Sequence, residues 1–91
     1  MSVNAVFEAL AHPARRKILR LLREGPLSAG AIAGHFALTK PTLSSHFNKL
    51  KQAELVTADR QGTSLIYQLN AAILEDAIAS LVALKDSDNG P

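Results

Sequence analysis

A chain of 91 residues with 47% apolar side chains is one folding unit with a modest core, too apolar for disorder and small enough for an obligate dimer to be a natural supplement. The absence of cysteine excludes a disulfide framework, thiolate metal sites, a Cys nucleophile and thiol redox sensing, and fits a reducing cytoplasm. A net charge of +2 conceals an uneven distribution: residues 12–60 carry nine Lys or Arg against three acids, whereas residues 61–91 carry one Lys against four acids. A basic middle between neutral or acidic ends is expected if the middle meets phosphates and the ends meet each other.

No apolar run approaches the roughly 20 residues needed to span a bilayer, so no membrane partner is expected. The opening MSVNAVFEAL has no basic n-region and predicts no signal peptide. Within it, Val3, Val6, Phe7 and Leu10 make a short apolar helix face over about 3–10. Ala11-His12-Pro13 breaks that helix, with His12 as a turn residue. Pro13 can open a second helix whose apolar stripe is Ile18, Leu19, Leu21 and Leu22, ended by Gly25-Pro26. Leu27 can add a very short strand.

Residues 28–53 read as two short amphipathic helices around a tight turn. Ser28 is the expected N-cap of the first, with Ala29, Ile32, Ala33 and Phe36 inward. Ala37 and Leu38 form the turn, Leu38 plugging the gap between the helices. Thr39 is the expected N-cap of the second, with Pro41 in its first turn. Leu43, Phe47, Leu50 and Ala53 share one face by their spacing. The other positions are Lys40, Thr42, Ser44, Ser45, His46, Asn48, Lys49, Lys51 and Gln52, and no acid occurs from residue 37 until Glu54. A solvated helix face ordinarily mixes Glu with Lys, so an acid-free row of hydroxyl, amide and amine donors points to nucleic acid.

After Glu54 the period becomes extended. Leu55 to Ala58 reads as a strand, Asp59 to Thr63 as a hairpin tip, and Ser64 to Leu69 as a returning strand with Leu65, Tyr67 and Leu69 on one face. Two strands are marginal alone, so the hairpin must lean on the helices. Asn70 is the expected N-cap of a last helix over about 71–85. Its Ile73, Leu74, Ala77, Ile78, Leu81, Val82 and Leu84 cover more than one side, so some should face a second subunit. The tail from Lys85 to Pro91 is expected to fray. The whole is a single mainly α (α+β) domain, a winged helix-turn-helix with an added helix at each end.

These residues carry a resemblance. His12-Pro13-Ala14-Arg15-Arg16-Lys17-Ile18-Leu19, Thr39 to Phe47 with Leu50, Gly62, and Tyr67-Gln68-Leu69-Asn70 resemble the signatures of ArsR-type winged-helix repressors over about residues 4–84. Lys40-Pro41 and the wing look closest to the SdpR-like autorepressor branch. The resemblance implies a homodimer built on the first and last helices, with recognition helices in successive major grooves of a pseudo-palindromic operator. It implies that Lys40, Thr42, Ser44, Ser45 and His46 face bases or nearby phosphates, and that Arg60, Gln61 and Thr63 sit at the wing.

Lys49 and Lys51 are expected on phosphates, a flexible ammonium carrying little sequence information. His46 faces either the DNA or the wing, and Arg15 and Arg16 either the DNA backbone or solvent. Tyr67 is expected in the core. Metal-sensing relatives use Cys or a last-helix Asp/His set. Here residues 28–36 hold no Cys and no His follows His46, so no metal site and no cofactor are expected, and no effector is specified. An enzyme has no footing, for there is no paired-carboxylate site, phosphate loop or nucleophile–base set. The competing readings are a ligand-responsive regulator with its effector in an apolar dimer cavity, and a winged-helix module for protein contacts.

Overall fold

The computed structural model describes residues 1–86. Its elements run α1 (Val3–Leu10), α2 (Pro13–Leu22), β1 (Leu27–Ser28), α3 (Ala29–Ala33), α4 (Lys40–Gln52), β2 (Val56–Gln61), β3 (Ser64–Leu69) and α5 (Ala71–Asp86).

Side-chain caps set most helix starts. The Ser2 hydroxyl accepts from Ala5 N–H, Ser28 from Ala31 N–H and Thr39 from Thr42 N–H, each satisfying an orphan donor of a first turn. His12 does the same for α2 through its ring, Nδ1 accepting from Ala14 N–H at 3.0 Å, with Pro13 at the first helical position. The expected turn role of His12 is thus a capping role.

Arg15 and Arg16 close the preceding helix. Arg15 Nε donates to the Ala9 carbonyl at 2.7 Å and a terminal nitrogen to that of Glu8 at 3.1 Å, while Arg16 donates to the Leu10 carbonyl at 2.6 Å. Cations on the last carbonyls of a helix satisfy its unpaired acceptors and oppose its dipole. The run His12 to Arg16 is therefore a joint, ending one helix and starting the next.

The core is one cluster. Val6 and Ala9 of α1, Ile18, Leu19 and Leu22 of α2, Ile32 of α3, and Leu43, Phe47 and Leu50 of α4 meet Leu55, Val56, Tyr67 and Ala77. Phe36 packs on its edge, its ring under the Lys17 ammonium, which lies 4.8 Å from the centroid and donates to the His35 carbonyl. Leu38 departs from expectation: it is 41% exposed rather than plugging the gap between α3 and α4. Ala29, Ala33 and Leu43 line the space between α3 and α4, and the turn lies outside it.

The sheet is antiparallel in the order β1-β3-β2. β2 runs through Gln61, which pairs with Ser64, so the expected five-residue tip shrinks to Gly62-Thr63. Gly62 has φ of +63° and Thr63 does not share a positive φ, the pattern of a type II′ turn that needs glycine at its first central position.

The strand also starts one residue later than expected, because Leu55 belongs to the end of α4. Glu54 adopts φ of 63°, its N–H reaches the Lys51 carbonyl at 2.9 Å, and Leu55 N–H reaches that of Leu50 at 3.0 Å. This is a Schellman closure with Leu50 and Leu55, both fully buried, as its apolar pair. Asn70 N–H donates to the Leu55 carbonyl at 2.9 Å, so the start of α5 is tied to the same point. A non-glycine residue at this φ is strained by about 1 kcal/mol. Glu54→Gly is accordingly expected to stabilise the fold by roughly 0.5–1 kcal/mol, the relief exceeding the added chain entropy. Urea denaturation checks it, and a loss of stability would overturn the strain argument.

α5 packs on α1, and its Ile73, Leu74 and Ala77 join the core. Beyond them Ile78, Leu81 and Val82 are 54%, 51% and 49% exposed. The helix continues to Asp86, past the start of the tail expected to fray, and residues 87–91 lie outside the described residues.

Candidate nucleic-acid interface

The geometry of α4 follows from its period. Leu43, His46, Phe47, Leu50 and the C-cap Ala53 are buried, while Lys40, Thr42, Ser44, Ser45, Asn48, Lys51 and Gln52 are exposed. At the helix start the Thr39 hydroxyl donates to Thr42 Oγ1 at 2.9 Å while accepting from Thr42 N–H at 3.3 Å. The Thr42 hydroxyl is therefore held in place.

Phe47 joins this helix to the hairpin. Its ring stacks on Tyr67 with centroids 4.3 Å apart and planes 17° apart. Tyr67 is in the core, where burial pushes its phenol up. Between α3, α4 and β3 lies an open groove of about 330 Å³, floored by Ala29, Ala33, Leu43 and Tyr67 and edged by Lys40 and Ser44. Arg60 and Gln61 are exposed on β2 beside the tip, and Thr63 is exposed in it.

Thus Lys40, Thr42, Ser44 and Ser45 share one exposed surface, with Arg60 and Gln61 on the neighbouring hairpin. Three of the residues predicted for the interface lie elsewhere. His46 is only 7% exposed and faces neither solvent nor the wing: its Nδ1 is 3.1 Å from an Arg15 nitrogen and its ring centroid 4.4 Å from that of His12. It lies three residues after Leu43 and four before Leu50, which puts it inside the apolar arc. Lys49 reaches back to α1, its ammonium 2.5 Å from Glu8 Oε1. That hydrogen bond, and then the Lys49 charge, hold the Glu8 carboxyl below its usual range. Arg16 is exposed but spends one guanidinium arm on the end of α1. Asn48, which carries no role in the sequence reading beyond lying on the polar side, is on the shared surface together with Lys51; its place midway between Ser44 and Gln52 was the available signal.

Among the described residues no three His, Cys, Asp or Glu side chains gather as metal ligands. His12 and His46 approach one another, the Nδ1 of His12 accepting from Ala14 N–H and that of His46 lying beside an Arg15 nitrogen. No described helix is long and apolar enough to cross a membrane.

A capped, acid-free helix backed by a buried stripe, with a two-stranded wing packed on it, defines the winged helix-turn-helix class of regulator. The model of the arsR family of bacterial regulatory proteins matches residues 12–58. The chain is 49% identical over 76 residues to the transcriptional repressor SdpR of Bacillus subtilis (strain 168), covering 84% of each. It is 38% identical over 86 residues to the arsenical resistance operon repressor of Staphylococcus aureus, covering 94% of this chain and 83% of that one. A crystal structure of an ArsR family transcriptional regulator superposes with a TM-score of 0.88 over 97% of both chains at 24% identity, which shows the common fold. The chain belongs to the arsR family.

Proposed function

We propose that this protein is a homodimeric, sequence-specific repressor of transcription that binds double-stranded DNA and has no metal-sensing site. The observation that carries the reading is the exposed row Lys40, Thr42, Ser44, Ser45 and Asn48 on α4, without a carboxylate and beside the Arg60-Gln61 wing. Hydroxyls and amides bond base edges or phosphates, and the ammonium groups add salt-sensitive attraction. The exposed apolar Ile78, Leu81 and Val82 on α5, which packs on α1, support α1 and α5 as the dimer surface. Similarity to repressors, one of them SdpR, supports repression. The protein's own promoter is the target the autorepressor resemblance suggests. The protein acts in the cytoplasm by occupying DNA, with no catalytic step, and the absence of cysteine supports operation without thiolate metals.

The test is selection of bound duplexes from a random library, followed by titrations across salt. An enriched inverted repeat with half-sites about one helical turn apart is expected. Lys40→Ala and Ser44→Ala are each expected to weaken binding to it by about 1–3 kcal/mol. Unchanged affinity in both would remove this face from the interface, and no enriched motif would favour a protein partner for the basic surface.

A further inference from the structure

The helix expected at the dimer surface and the helix expected on DNA meet at one side chain. Arg15 holds the Ala9 and Glu8 carbonyls of α1 with two nitrogens, and its third lies 3.1 Å from Nδ1 of His46 on the inner face of α4. A guanidinium can only donate, so this contact requires a lone pair on Nδ1 and a neutral ring. A proton at Nδ1 would set donor against donor beside a permanent positive charge, in a buried place.

We propose that Arg15 and His46 are positioning residues that fix the angle of α4 against α1, and that proton uptake by His46 releases specific DNA. The inference rests on α4 being the DNA-reading helix. Burial, then His12, then Arg15 disfavour the charged ring, so His46 titrates below the ordinary imidazole value of about 6.5. The folded-state value is the depressed one. The contact is therefore complete above about pH 6.5 and is lost as pH falls through the lower folded-state value. The other charges around α4 do not supply this response. Glu8 of α1 and Lys49 of α4 pair with each other, and Glu8 keeps its charge through this window. Asp59 and Arg60 of β2 are exposed toward the hairpin end. Acidification otherwise only adds positive charge, which strengthens attraction to phosphates. Loss of specific binding on acidification thus runs against the general electrostatic trend.

The experiment measures affinity for the duplex enriched from a random library, and for a scrambled duplex, at pH 7.5 and 5.5 and constant ionic strength. Circular dichroism reports the fold at both values. Wild type is expected to lose roughly tenfold in affinity for the enriched duplex, while the scrambled one holds or gains. His46→Gln keeps an oxygen for Arg15 and is expected to bind at both pH values within about twofold of the wild type at pH 7.5. His12→Gln is expected to retain the drop. A flat wild-type profile, or the same drop in His46→Gln, overturns the proposal. If His46→Gln fails to fold, NMR titration of the wild-type imidazoles decides: a His46 midpoint coinciding with the loss of affinity supports it, and one more than about a unit away overturns it. Absence of any specific duplex at pH 7.5 would instead overturn the DNA-reading assignment, and the inference with it.

Discussion

Replacing Ile78 and Leu81 together with glutamate is expected to give a folded monomer that has lost its specific DNA affinity by at least about 100-fold, because two linked half-site contacts gain that much over one. Both side chains are more than half exposed on one chain, so the substitution leaves the core of that chain untouched. By their spacing they continue the face of Ile73, Leu74 and Ala77, which joins the core, on a helix that packs on α1, whose own Phe7 and Leu10 are only half-buried. Contiguous apolar surface of this kind is what a second copy would cover. Four carboxylates in the joint surface of two chains would then have no partners. Sedimentation gives the mass and gel shifts the affinity. A wild type that is already monomeric, or a variant that remains dimeric, would remove α5 from the interface.

Phe47→Ala is expected to cost about 3–5 kcal/mol, a large share of the roughly 5–15 kcal/mol that holds a domain folded. Phe47 is buried and is the ring through which α4 meets Tyr67 on β3. Its loss removes apolar burial and an aromatic stack, and opens a void continuous with the neighbouring groove. Phe47→Leu, which keeps most of the volume, is expected to cost less than half as much. Denaturant titrations at matched protein concentration measure both. A cost under about 1 kcal/mol for the alanine variant would mean that the hairpin is held to the helices by other contacts.

Local signals were sufficient for most of the fold. Ser28 and Thr39 act as caps because their hydroxyls meet free N–H groups, a requirement visible in three or four residues of sequence. The stripe Leu43, Phe47, Leu50, Ala53 needed only the helical period. What could not be read locally depended on partners distant in the chain. Arg15 and Arg16 resemble solvent-facing arginines until the end of α1 is brought beside them. Lys49 resembles a phosphate contact until Glu8, 41 residues away, takes its charge. His46 was misjudged for another reason: its position lay within the inward arc all along, but a polar ring suggested the outside. A buried imidazole is affordable there because Arg15 satisfies it. Leu38 departs in the opposite direction, an apolar side chain left 41% exposed at the turn.

The joint at Leu50, Leu55 and Asn70 carries a last implication. The end of α4, the start of β2 and the start of α5 are hydrogen-bonded at a single point with no intervening loop. The helix proposed to read DNA, the wing and the helix proposed for dimerisation therefore share one rigid frame. In a dimer of such frames, the separation and rotational phase of the two reading heads have little slack. The length of the spacer between half-sites then becomes sequence information in its own right, since one added base pair would rotate the second half-site about the duplex axis and away from the head built to meet it.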